Sequence, residues 1–178
     1  MKKFFVLFMT VIVLVGLIAT AVFAADTQVW YKLIAGQQWH VGNIGVSIDA
    51  NGDLHVVYKA FEGYCLNEIQ THAAYDLADI PQNNGNPTPG QFDYKADDLG
   101  CVYRAEAVIP GDWDASREIP IYVAAHAVVG MVDDPEWSET GWGLWCGVKN
   151  LDRFGFPGSN WATYILYTGE LKTLNPYR

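Results

Sequence analysis

Ile44-Gly45-Val46-Ser47-Ile48-Asp49-Ala50-Asn51-Gly52-Asp53-Leu54-His55-Val56-Val57-Tyr58 is the stretch whose reading decides the fold class. Ile44, Val46 and Ile48 alternate with Gly45, Ser47 and Asp49; beyond Asn51-Gly52, Leu54, Val56 and Tyr58 alternate with His55, Val57 and Lys59. A period of two places the apolar side chains on one face of a pleated strand. Asn-Gly tolerates the positive φ of a tight reversal. The stretch therefore predicts an antiparallel hairpin with one face in a core.

Working outward, Val29–Ile34 reads as a preceding strand ended by Ala35-Gly36, and Glu62-Gly63-Tyr64 turns the chain into Cys65–Tyr75, giving three consecutive segments of meander type. Asp76–Ile80 fits one turn of helix before Pro81, and a long loop from Gln82 to Gly100 follows. A loop of that length in a compact domain needs a function or something to hold it. Its middle, Gly85-Asn86-Pro87-Thr88-Pro89-Gly90-Gln91-Phe92-Asp93-Tyr94, carries two prolines that fix φ and two aromatics that favour burial, so it reads as an ordered brace between two halves. Cys101–Ile109 is the next strand, and Ile121–Val129, almost wholly apolar, is the central strand buried on both faces. An acidic, tryptophan-bearing loop from Asp133 to Trp145 precedes a last strand at Trp161–Tyr167. Short strands divided by Gly, Pro, Asn and Asp turns, with no long amphipathic helix, predict an all-β chain: an antiparallel β-sandwich, jelly-roll or Ig-like, with long ordered loops.

Met1-Lys2-Lys3, an uncharged run from Phe4 to Phe23 and then Ala24-Ala25-Asp26 have the layout of a secretory signal peptide over residues 1–24, with residues 25–178 as a single domain. The alternative is an uncleaved N-terminal membrane anchor, because the run of about 20 residues could span a bilayer. Loss of Lys2 and Lys3 leaves nine basic residues against 20 acidic ones, a formal charge of −11. Such a chain is a poor partner for nucleic acid or anionic membrane, which are bound through clustered Lys and Arg. Seven Trp, ten Tyr and eight Phe point to a folded domain rather than a disordered one. Cys65, Cys101 and Cys146 all lie in the exported part, where disulfides persist. Cys65 with Cys101 is the preferred bridge, closing the loop around the brace, and Cys146 is the odd thiol.

Val41-Gly42-Asn43-Ile44-Gly45-Val46, Thr71-His72, the Gly85–Tyr94 stretch, Tyr122-Val123-Ala124-Ala125-His126-Ala127 and Gly158-Ser159-Asn160-Trp161-Ala162-Thr163-Tyr164 together resemble a functionally uncharacterised module of secreted and surface proteins of bacteria and archaea. The resemblance spans roughly residues 36–167. It implies an extracellular β module and no catalytic residue.

Glu68, His72, His126 and Glu139 are the candidate metal ligands, since imidazole and carboxylate suit zinc and Glu68, Gln70 and His72 share one strand face. Their spacing matches no zinc motif, and the competing reading is of hydrogen-bonded structural histidines. Asp49, Asn51 and Asp53 mimic the first ligands of a calcium loop but lack its glycine and its closing glutamate, so they read as a turn. Asp133, Asp134, Glu136 and Glu139 could hold calcium or simply be solvated. Nucleophile elbow, phosphate loop and dinucleotide fingerprint are all missing from the sequence, and no catalytic residue is assigned. Trp113, Trp137, Trp142 and Trp145 are read in loops or turns, where they either roof the ends of the sandwich or stack on a ligand. The sequence thus favours a secreted or cell-surface binding or adhesion module for an extracellular glycan or protein. A self-associating subunit of a fibre or coat is the alternative, and a metal-dependent hydrolase is the least favoured reading.

Overall fold

The computed structural model describes residues 28–117, 119–144 and 154–169; the leader segment 1–24, Trp145 and Cys146 lie outside the described residues. The described chain is antiparallel β throughout, with two single turns of 3-10 helix at Leu77–Asp79 and Pro89–Gln91. The strands are β1 (Val29–Ala35), β2 (Trp39–Ile48), β3 (Leu54–Ala60), β4 (Tyr64–Ala74), β5 (Gln82–Asn83), β6 (Asn86–Pro87), β7 (Tyr94–Ala96), β8 (Arg104–Ile109), β9 (Ile121–Met131), β10 (Ser138–Leu144) and β11 (Ile165–Tyr167).

The hairpin forms as the alternation demands. Ile48 stands opposite Leu54, Val46 opposite Val56 and Ile44 opposite Tyr58. The Asp49 carboxylate accepts from the backbone N–H groups of Asn51 and Asp53 and so shapes the reversal, with Gly52 at φ +86°.

Nine strands lie on one sheet in the order β7-β4-β9-β10-β1-β2-β3-β8, with β11 also on β9; β5 and β6 form a separate two-stranded piece. The two ends of this path approach one another, as Val102, just before β8, bridges to Leu66 of β4 through reciprocal hydrogen bonds of 2.8 and 3.1 Å. The meander expectation, which runs from the hairpin into Cys65–Tyr75, holds for β2 and β3 and fails at β4. The turn at 61–63 carries the chain across the end of the sheet, so β3 takes β8 as its next neighbour and β4 takes β9.

Tyr31, Leu33, Ile44, Val46, Leu54, Val56, Tyr58, Leu66, Ile69 and the odd-numbered residues Ile121–Val129 make one core on the enclosed face. Within it the Tyr58 hydroxyl lies 2.7 Å from Thr71 Oγ1, so this buried polar group is satisfied, and burial raises its pKa. The even-numbered residues of β9 face the other way. Ala124 belongs to a second cluster with Ala74, Ile80, Phe92, Trp142, Phe156 and Ala162, so β9 is covered on both sides, as its apolar run predicts.

That second cluster explains the long loop. Phe92 is buried against the sheet, and the 85–86 corner is gripped by the later Gly158-Ser159-Asn160 segment. Gly158 N donates to Gly85 O and Asn160 N to the Asn86 side-chain oxygen, each at 2.9 Å. A Cβ on Gly158 would run into the Asn86 side chain and lie 2.6 Å from its backbone nitrogen. Gly85 to Tyr94 is thus clamped down rather than looped out, and its Cys65–Cys101 flank is tied by the disulfide expected from the sequence.

Three boundaries are corrected. Cys101 is not in a strand: it sits at φ +64° in a bend, and β8 starts at Arg104. The last strand starts at Ile165, because residues 161–164 are extended over the second cluster with only an isolated Gly155–Thr163 bridge. The acidic loop ends at Trp137, since Ser138–Leu144 is strand β10 between β9 and β1.

Candidate functional site

The candidate metal ligands come apart on the sheet. Glu68, Gln70 and His72 do share the face of β4 that turns away from the main core, and His126 of β9 shares it too, but opposite Gln70, while His72 stands opposite Ala124. Gln70 Oε1 accepts from His126 Nδ1 at 2.6 Å; its Nε2 donates to Glu68 Oε2 and Asp97 Oδ1, both at 3.2 Å. His126 is thereby a satisfied buried imidazole, in ring contact with Trp142 at 4.7 Å, and burial lowers its pKa to about 4. His72 Nδ1 is 3.0 Å from Asp93 Oδ2, close enough for an ion pair but poorly aligned for a hydrogen bond. Glu139 pairs across from Val129, which faces the main core, so it points to the opposite side of the sheet from His126. Alternation along β10 makes that separation unavoidable. Among the described residues no group of three or more side chains is gathered as metal ligands.

The tryptophans divide as well. Trp142 is not a loop residue: it lies in β10, 5% exposed, opposite His126 and packed on Phe92 and Phe156. Trp113 is half-buried at the β2–β3 turn end, stacked at 5.3 Å on Tyr75, its indole N–H donating to Ile109 O. Trp145 lies outside the described residues. Trp137 is at the other end, and there the structure adds residues that the sequence reading did not single out.

Strand register brings four connections to that end: 36–38, 61–63, 97–103 and 132–137. Ala35 pairs with both Trp39 and Gly141, and Tyr64 pairs with Met131. Val132 N donates to Gly63 O, Ala60 N to Tyr103 O and Leu99 N to Asn67 O. Trp137 meets Trp39 edge-on at 5.9 Å and Tyr64 at 5.8 Å, the T-shaped and tilted geometries that ring quadrupoles favour. Trp39 lies over Gly36, beside which the Glu139 carboxyl also comes to rest. Phe61 meets His40 edge-on at 4.9 Å.

Six large apolar side chains are exposed among the described residues, and four of them are at this end: Trp39 (39%), Phe61 (38%), Tyr103 (54%) and Val132 (43%). Next to them a cavity of about 260 Å³ is floored by Gly130 and walled by Cys65, Asn67, Cys101, Val132 and Trp137. Gly130 makes the hollow possible, since a Cβ there would meet the Asn67 amide at 2.8 Å. Only Trp137 of this group was a candidate from sequence. Trp39 carries one sequence signal, a large ring directly after the polar Gln37-Gln38 turn.

A separate polar group lies on β3 and β8. His55 Nδ1 and Glu106 Oε1 are 2.8 Å apart, Asp49 Oδ2 is 3.6 Å from His55 Nε2, and Arg104 donates to Glu106 at 2.9 Å. The hydrogen bond to Glu106 raises the His55 pKa, and the same contact lowers that of Glu106. This clasp ties the hairpin turn to its neighbouring strand.

No family model, curated protein or solved structure matches the chain.

Proposed function

We propose that the chain is an extracellular binding or adhesion module whose contact surface is the end of the sheet bearing Trp39, Tyr64 and Trp137, with a protein or glycan as ligand. The observation that carries this reading is the gathering of four exposed large apolar side chains at one end of the sheet, one of which, Val132, also lines the cavity beside Trp137, because monomeric surfaces seldom cluster such groups without a partner. The secretory layout of residues 1–24 and the Cys65–Cys101 disulfide support an oxidising, extracellular setting. Kinship with secreted and surface modules rests on the motif set alone, and the clamp between Gly85-Asn86 and Gly158-Asn160 gives two of those motifs a shared structural task.

For the scaffold, the single strand path and the Leu66–Val102 bridge favour a sheet rolled around one core over two stacked sheets. Edge strands this short, three residues in β7 and six in β8, disfavour edge-to-edge assembly into a fibre.

Glycan and peptide arrays probed with wild type, Trp137→Ala and Trp113→Ala test the reading. Binding should fall about tenfold or more in Trp137→Ala, as for a central aromatic anchor, and stay unchanged in Trp113→Ala at the far end. Equal binding by wild type and Trp137→Ala would remove this end from consideration.

A further inference from the structure

The charges around this end narrow the partner. The four connections that form it contain Glu62, Asp97, Asp98, Asp133, Asp134 and Glu136, and no Lys or Arg. No ion pair among the described residues includes any of the six. The cations that flank these connections in sequence have contacts elsewhere: Lys59 lies over the Trp30 ring at 4.7 Å, Lys95 donates to Gly90 O at 3.0 Å, and Arg104 is paired with Glu106. The aromatic patch is therefore ringed by carboxylates without local counter-charges. The faces of Trp39, Tyr64 and Trp137 add their own negative quadrupoles, which attract cations within about 6 Å of a ring.

We infer that the ligand is a lysine- and arginine-bearing segment of another protein. The inference rests on the binding reading above and specifies its ligand. The cavity beside Trp137 suits one long cationic side chain. Its methylene stem would run along Met131 and Val132, while the charged head reaches the Asp133–Glu136 rim, the division of labour that long basic side chains adopt at apolar surfaces. A polypeptide is favoured over a small amine because Phe61 and Tyr103 sit on two further connections, so the exposed apolar surface extends well beyond one cavity. Aromatic rings facing arginine are also the pairing in which interface energy concentrates. Charge complementarity of this kind acts mainly on the rate of encounter and on the choice of partner.

Calorimetric titration of the folded protein with an arginine- and lysine-rich peptide, a glycine- and serine-rich peptide and an acidic peptide provides the test. Wild type should bind only the basic peptide. Affinity should fall about tenfold in Trp137→Ala, and by a similar factor in Asp133→Asn/Asp134→Asn, which removes both charges while keeping a side-chain oxygen for the Glu136 N–H that Asp134 accepts. Raising the salt should weaken binding and slow association, since exposed charges are screened beyond about 10 Å at moderate ionic strength. Salt-independent binding, or equal binding of the basic and neutral peptides, would overturn the inference. So would no binding of the basic peptide; if Trp137-dependent glycan binding were seen at the same time, the contact surface would stand and only the basic ligand would be lost.

Discussion

His126 shows what a single residue's surroundings decide. Its histidine identity and strand position suggested a ligand, but Gln70 takes its Nδ1–H and burial lowers its pKa from 6.5 to about 4. Between those two values the unfolded chain binds a proton that the folded chain refuses, so this site makes stability fall as the pH drops through that window, by up to about 3 kcal/mol. His55 works in the opposite sense. Its hydrogen bond to Glu106 raises its folded pKa, so its contribution is fully present below 6.5 and is lost as the pH rises through the raised value. Urea unfolding across pH should therefore show a flatter acid limb for His126→Gln than for wild type, and a larger loss for His55→Gln near about pH 6 than near about pH 9. Parallel profiles for wild type and His126→Gln would contradict the buried neutral assignment. The sequence could place both imidazoles on strands but could not tell them apart. Their neighbours, Gln70 at a separation of 56 residues and Glu106 at 51, are set by strand pairing.

Elements are legible where apolar residues alternate or run unbroken. The Ile44–Tyr58 hairpin could be read from its alternation, and the β9 run from its unbroken apolarity. Strand β10 was not, because Ser138-Glu139-Thr140-Gly141-Trp142-Gly143-Leu144 mixes polar and glycine positions with one large ring, and so looks like loop. Gly143 is small because a Cβ there would strike the Ile165 and Ile44 side chains, a constraint visible only once β11 and β2 are in place. The order of the brace from Gly85 to Tyr94 is legible from its prolines and aromatics, but its clamp at Gly158 lies more than 70 residues away, beyond any local pattern. Gly158→Ala should press a methyl group against Asn86 and cost about 1–3 kcal/mol, as overpacking does. Thermal unfolding would register this as a drop of several degrees; an unchanged midpoint would mean that the two segments are not clamped.

At the scale of the molecule, composition already announces an acidic, aromatic-rich chain, and the fold adds where those properties meet. Four connections distant in sequence converge through register, placing Trp39, Phe61, Tyr103, Val132 and Trp137 at one end together with six carboxylates. Only Trp137 could be nominated from sequence, because convergence of turns is a property of strand order rather than of any one segment. Four of the described tryptophans act as position-specific reporters. Trp39 and Trp137 mark the proposed surface, Trp142 the buried second cluster, and Trp113 the opposite end. Following the indole N–H signals by NMR while adding the arginine- and lysine-rich peptide tests the account most directly. It predicts saturable shifts of the Trp39 and Trp137 signals with those of Trp113 and Trp142 still, whereas motion of Trp113 alone, or no shift in Trp39 and Trp137, would contradict it.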